Sequence, residues 1–170
     1  RLYLARFSPD GNRAFTACEN NVGFWDWHKG VVAAGPFKQS TTIESVHFDS
    51  EGNRMVTTDS NGVARVWNLA TWQPITPPLA HSGLIVMARF SPDGRFVVTA
   101  SEDHTGRVWN AMTGEPVTPP LLHHDHVKWA DFSPDGKRVV TASTDDTACV
   151  WDSQTGQRVV PPLQHTRLVD

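Results

Sequence analysis

The chain has little of what many small folds are built on. Among 170 residues there are two cysteines, Cys18 and Cys149. They fall at different points of the sequence pattern described below, so they offer neither a disulfide framework nor a metal spacing. They read as buried or half-buried free thiols in a reducing compartment, the cytoplasm. Charge of one sign is also lacking: 15 Lys and Arg against 18 Asp and Glu give a net charge of −3. That balance provides no electrostatic footprint for nucleic acid or an anionic membrane. No apolar run approaches the ~18 residues of a membrane helix, and no charged-then-apolar leader opens the sequence. There is no phosphate-cradling glycine loop and no G-x-S-x-G turn to carry a nucleophile.

What is present is repetition. An apolar-bounded turn reads FSPDG at Phe7–Gly11, FDSEG at Phe48–Gly52, and FSPDG at Phe90–Gly94 and Phe132–Gly136. A second marker follows at Trp25-Asp26, Trp67-Asn68, Trp109-Asn110 and Trp151-Asp152, each 42 residues after the last. Self-similarity at this period means an array of small units, each needing its neighbours to bury its faces.

The third unit shows how one repeat is built. Leu84–Phe90 is an apolar run, and Ser91-Pro92-Asp93-Gly94 supplies turn chemistry. Phe96–Ser101 is rich in β-branched residues, Glu102-Asp103-His104 is a polar break, and Thr105–Asn110 is a third run. Pro116-Val117-Thr118 is a weaker fourth, and Pro74 and Pro116 mark it as a sheet edge, where proline is tolerated. Short strands punctuated by Gly, Pro, Asp and Ser are the all-β pattern. Val97-Val98 and Val139-Val140 place apolar groups on opposite faces of one strand. Such a strand belongs to a sheet covered on both sides, and the natural cover is the sheet before and the sheet after. Radially stacked four-stranded sheets are propeller blades.

These residues resemble the WD-repeat (Trp-Asp repeat) family, whose period, dipeptide and turns they match. The resemblance implies a structural tetrad: His81, Thr99 or Ser101, Asp103 and Trp109 in unit three; His123, Thr141 or Ser143, Asp145 and Trp151 in unit four. Units one and two depart from it. Gln39 stands where His is expected, Asn61 where Asp is expected, and Glu19 takes the Asp position of unit one. These two blades are expected to be held more by packing than by the polar network.

The expected fold is therefore all-β, with four four-stranded antiparallel blades forming part of a seven- or eight-bladed ring or a half-propeller. The blades span about 1–38, 39–80, 81–122 and 123–164, with a stub of a fifth at 165–170. Four such blades would leave two apolar end faces. Either the sequence is cut from a longer propeller or two half-propellers self-associate to complete one ring. Units three and four share 22 of 42 residues, and the linker recurs at Thr76-Pro-Pro-Leu79, Thr118-Pro-Pro-Leu121 and Val160-Pro-Pro-Leu163. Near-copies of this kind resemble bacterial multidomain signalling arrays, in which propellers are attached to kinase or nucleotide-binding switch domains.

A repeated His, hydroxyl and Asp could pass for a hydrolase triad, but a feature present in blade after blade is architecture. No enzyme activity and no cofactor is expected. His123-His124-Asp125-His126 is the segment most suggestive of a metal, with His124 and His126 the candidate ligands and His104 on the same rim one blade away. Trp27, Trp72 and Trp129 lie outside the repeat's own tryptophans and have no basic groove evident beside them; Trp72 stands where later units have Gly114 and Gly156. The expected function is a non-catalytic scaffold that recognises a protein or peptide through loops on one rim. The residues expected to make contact are Glu102, His104, Asp125, His126, Thr144 and Asp146.

Overall fold

A computed structural model describes residues 4–18, 21–34 and 42–165. The expectations for Glu19, Gln39 and the stub beyond His165 lie outside the described residues. Blade one comprises β1 (Leu4–Phe7), β2 (Arg13–Cys18), β3 (Asn21–Asp26) and β4 (Val31–Ala34). Blade two comprises β5 (Ile43–Phe48), β6 (Arg54–Asp59), β7 (Val63–Asn68), β8 (Gln73–Pro74) and β9 (Leu79–Ala80). Blade three holds β10 (Ile85–Phe90), β11 (Phe96–Ser101), β12 (Thr105–Asn110) and β13 (Leu121–Leu122). Blade four holds β14 (Val127–Phe132), β15 (Arg138–Ser143), β16 (Thr147–Asp152) and β17 (Leu163–Gln164). Each is an antiparallel sheet in sequence order, and no helix occurs among the described residues.

The FSPDG turn forms because it satisfies itself. In blade three the Ser91 hydroxyl donates to Asp93 Oδ1 (2.6 Å) and accepts the Phe96 N–H (3.0 Å). Gly94 closes the hairpin at φ 66°, the left-handed region that glycine enters without steric cost. Blade two replaces this serine with Asp49, whose carboxylate accepts the N–H groups of Asn53 and Arg54 and pairs with the Arg54 guanidinium at 2.9 Å.

The expected edge strand is there, and in blades two, three and four it comes in two pieces. In blade two, β8 pairs with the far end of β7 and β9 with its near end. Blades three and four keep a single bridge at the first piece, Trp109 to Pro116 and Trp151 to Arg158, and a pair of residues at the second. Between the pieces lie the two linker prolines, which have no N–H to give the ladder.

The core sits between blades rather than within them. Three apolar clusters fill the three seams. The first unites Phe15 and Phe24 with Phe48, Met55 and Trp67. The second unites Val56, Val66 and Leu79 with Phe90, Val97 and Trp109. The third unites Val98, Val108 and Leu121 with Phe132, Val139 and Trp151. Val97 thus packs towards blade two and Val98 towards blade four, as a strand apolar on both faces requires. Fully burying one such side chain contributes about 1.5–3 kcal/mol, so each seam carries a large share of the stability.

Where a seam is missing, the equivalent residues are bare. Phe7 is 67% exposed, against 5% for Phe90 at the same repeat position, and Trp25 is 38% exposed against 5% for Trp109. At the other end Leu163 is 50% exposed where Leu121 is fully buried, and Val140 is exposed where Val98 is fully buried. The sheets do not close into a ring; the array is a partial propeller with an apolar face at each end. Trp72, at φ 58°, packs edge-on against Phe24 with ring centroids 5.1 Å apart, which makes it a seam residue.

Candidate functional site

Two kinds of polar residue meet at the rim where second strands turn into third strands, and they divide cleanly. The first kind is consumed by the fold. In blade three, Thr99 Oγ1 accepts the Trp109 indole N–H at 2.9 Å and lies 2.7 Å from His81 Nε2. His81 Nδ1 lies 2.8 Å from Asp103 Oδ2. An ionised carboxylate needs a donor, so Nδ1 carries the proton and Nε2 accepts the Thr99 hydroxyl. The chain Trp109–Thr99–His81–Asp103 is therefore fully satisfied with a neutral imidazole.

Ionisation supports this assignment. Burial holds His81 below its ordinary pKa, with Asp103 pulling the other way and losing. Burial would raise Asp103, but hydrogen bonds from the Thr105 hydroxyl, His81 and the Ser82 N–H outweigh it and bring the pKa to about 2. Blade four repeats the set: His123 Nδ1 to Asp145 at 3.3 Å, His123 Nε2 to Thr141 at 2.7 Å, and Trp151 Nε1 to Thr141 at 2.7 Å. There too burial lowers His123, and hydrogen bonds led by the Thr147 hydroxyl overcome burial to hold Asp145 far below the usual carboxylate range.

The threonine, not the serine, is the tetrad hydroxyl. Ser101 instead donates to the Gly83 carbonyl (3.2 Å) and accepts the Asp103 N–H (3.1 Å). Ser143 does the same for Asp125 and Asp145, at 3.0 and 3.1 Å. Thr99 and Thr141 are wholly inaccessible, so neither hydroxyl can meet a substrate.

The polar link also extends further into the early blades than their altered sequences suggest. Trp67 donates to Thr57 at 2.9 Å, and Trp25 donates to Thr16 at 2.8 Å. In blade two the missing turn carboxylate at Asn61 is replaced from two residues upstream. Asp59 Oδ1 accepts the N–H groups of Asn61 and Val63, and Asp59 Oδ2 pairs with Arg65 at 3.4 Å.

The second kind of residue stands free of the tetrads on the same rim. His104 occupies a left-handed turn (φ 69°), and Asp146 repeats it in blade four (φ 62°). The structure brings His104, Asp125 and His126 together across the seam between blades three and four. The His104 and His126 rings meet edge to face, with centroids 5.2 Å apart. Glu102 pairs with Lys128 beside them, and the Thr144 hydroxyl donates weakly to the His126 carbonyl at 3.4 Å. Asp146 gives its carbonyl to the His165 N–H at 3.0 Å, as His104 does to the His123 N–H. His124, expected as a ligand, is not in the cluster; its side chain is exposed and its N–H is spent on Asp145 Oδ2 at 2.9 Å.

One region was not anticipated. The first strands of the blades line a cleft of about 220 Å³, with Leu4, Val46, Met87, Arg89, Lys128 and Trp129 among its walls. Arg89 lies 4.6 Å above the Trp129 ring and 3.2 Å from Asp131. Trp129 therefore has one cation stacked on its ring, an arginine already paired with Asp131. The positions concerned, Arg6, His47, Arg89 and Asp131, differ in chemistry from unit to unit, so the repeat gave no signal for them.

Stacked antiparallel sheets, seams filled by neighbouring blades and a buried Trp–Thr–His–Asp chain define a propeller-type repeat protein. The family described as WD domain, G-beta repeat matches residues 35–68, 72–110 and 116–152. The chain belongs to that family. It is 31% identical over 85 residues to a coronin-like protein of Schizosaccharomyces pombe, a match covering 49% of this chain and 14% of that protein. In solved structures it is similar to the computationally designed Ika8 protein, with a TM-score of 0.83 and 24% identity. That match covers 96% of this chain and 49% of Ika8, so the four blades superpose on about half of a longer chain. It bears on the fold alone.

Proposed function

We propose that the chain is a non-catalytic scaffold that captures a protein or peptide through the rim loops of blades three and four. The observation that carries this reading is the division of the rim. The tetrad residues have both their hydrogen bonds and their burial committed to the fold, whereas Glu102, His104, Asp125, His126, Thr144 and Asp146 remain partly or fully exposed on rigid turns. A polar, pinned surface of this kind recognises a partner at low ordering cost and makes or breaks no bond. Family membership supports the same class of activity. The buried free thiol of Cys149 suits a reducing compartment, and we place the protein in the cytoplasm.

The test uses peptides selected by display against the purified chain. Substituting Glu102, Asp125 or Asp146 should weaken their binding about tenfold or more without moving Tm. Binders whose affinity falls only in step with Tm would refute the reading.

The bare end faces favour a second statement about assembly. Phe7 and Trp25 at one end, and Val140 and Leu163 at the other, are the two halves of a seam. They suit further blades of the same polypeptide, in a seven- or eight-bladed ring, or a second copy of the four blades that completes an eight-bladed one. The near-copy relation of blades three and four also fits a regulatory propeller of a larger bacterial signalling protein, joined to a kinase or a nucleotide-binding switch.

A further inference from the structure

We propose that His104, Asp125 and His126 form a binding site for a borderline divalent transition metal, Zn2+ foremost, that cross-links the rims of blades three and four.

Each of the three residues offers one ligand atom, and the three atoms lie within 4.8 Å of one another. A tetrahedral zinc ion with bonds of about 2.0–2.1 Å holds its ligand atoms about 3.3 Å apart. The shortfall is small, and the Asp125 and His126 side chains are 45% and 42% exposed, so rotation can close it without moving the backbone. His126 Nε2 is already 3.7 Å from Asp125 Oδ1. Two imidazoles and one carboxylate favour zinc, nickel or copper over magnesium or calcium, which prefer oxygen throughout.

The frame is fixed before any ion arrives. The His104 carbonyl accepts the His123 N–H (3.0 Å), and the His126 carbonyl accepts the Thr144 N–H (3.0 Å). The Asp125 carbonyl accepts the Ser143 hydroxyl at 3.0 Å, and its carboxylate accepts the His126 N–H at 2.7 Å. The left-handed turn places His104 against the neighbouring blade. Glu102, the other nearby carboxylate, is held by Lys128 and is no member of the set. Three protein ligands leave a fourth position to water or to a ligand from outside the chain.

The experiment is titration of the untagged chain with Zn2+ alone, by calorimetry and by Co2+ absorption as a report on coordination. One ion per chain is expected. His104→Ala and His126→Ala should each weaken binding by about 100-fold, and Asp125→Asn by about tenfold. His124→Ala should leave it unchanged. Zn2+ should raise Tm in the wild-type chain and in His124→Ala but not in the two ligand variants, whose metal-free Tm reports any loss of folding separately. No saturable uptake at micromolar free metal, or uptake that survives both His104→Ala and His126→Ala, would overturn the proposal.

Discussion

Thr99 is the point on which blade three's polar chain turns, and replacing it with valine isolates what that chain contributes. The change preserves shape and removes one oxygen. Trp109 Nε1 then loses its acceptor at 2.9 Å, and His81 Nε2 loses its partner at 2.7 Å. Neither atom can recruit water, because Thr99 and the His81 side chain are fully buried and Trp109 is 5% exposed. An orphaned buried polar group costs about 1–3 kcal/mol, so two together should cost about 3 kcal/mol with some relaxation. For a domain of this size that corresponds to a Tm lower by about 6–12 °C. Urea unfolding followed by tryptophan fluorescence, together with a thermal melt, measures both. Ser101→Ala, two residues along the same face, removes only a link between turns and should cost about 1 kcal/mol. If Thr99→Val costs less than Ser101→Ala, the tetrad is ornamental and the reasoning fails.

Three further outcomes follow from the same geometry. His81 and His123 have pKa values below the ordinary imidazole value, so the unfolded chain binds more protons around pH 6 and stability should fall as pH drops below about 6.5. Asp103, at about 2, adds a contribution present above its unfolded value of 3.8 and lost as pH falls towards 2; a stability profile flat from pH 7 to 4 would contradict the histidine statement, and one flat from pH 4 to 2 the aspartate statement. Gly62→Ala should destabilise by about 1–2 kcal/mol in a denaturant melt, since φ is 75° and a Cβ would collide with the Gly83 carbonyl across the rim. Val98→Ala, in the seam between blades three and four, should cost more than Val140→Ala on the bare end face, by about 1–2 kcal/mol in the same assay.

The parts legible in the sequence are those fixed by the repeat. A spacing of 42 residues located the strands, the Pro-interrupted edge and the polar chains of blades three and four, because each recurs at one position. The choice between Thr99 and Ser101 stayed open for a geometric reason: residues two apart share one face of a strand. The same period let Asp59 do the work expected of residue 61, unseen from the sequence. The ligand trio depends on two loops from different blades meeting, and on His126 rather than His124 turning towards His104. Neither is encoded in local pattern. The cleft along the first strands was hidden because its lining changes chemistry at every blade.

Each apolar blade face needs a neighbouring blade to cover it, and the repeated polar residues serve that architecture, which on our proposal leaves the rim free for recognition. Sedimentation of the 170-residue chain over a wide concentration range tests it most directly. A discrete species of twice the 18.8 kDa chain mass is expected, which Phe7→Glu together with Val140→Glu converts to a monomer. A wild-type monomer at every concentration, melting cooperatively with both end faces bare, would contradict it.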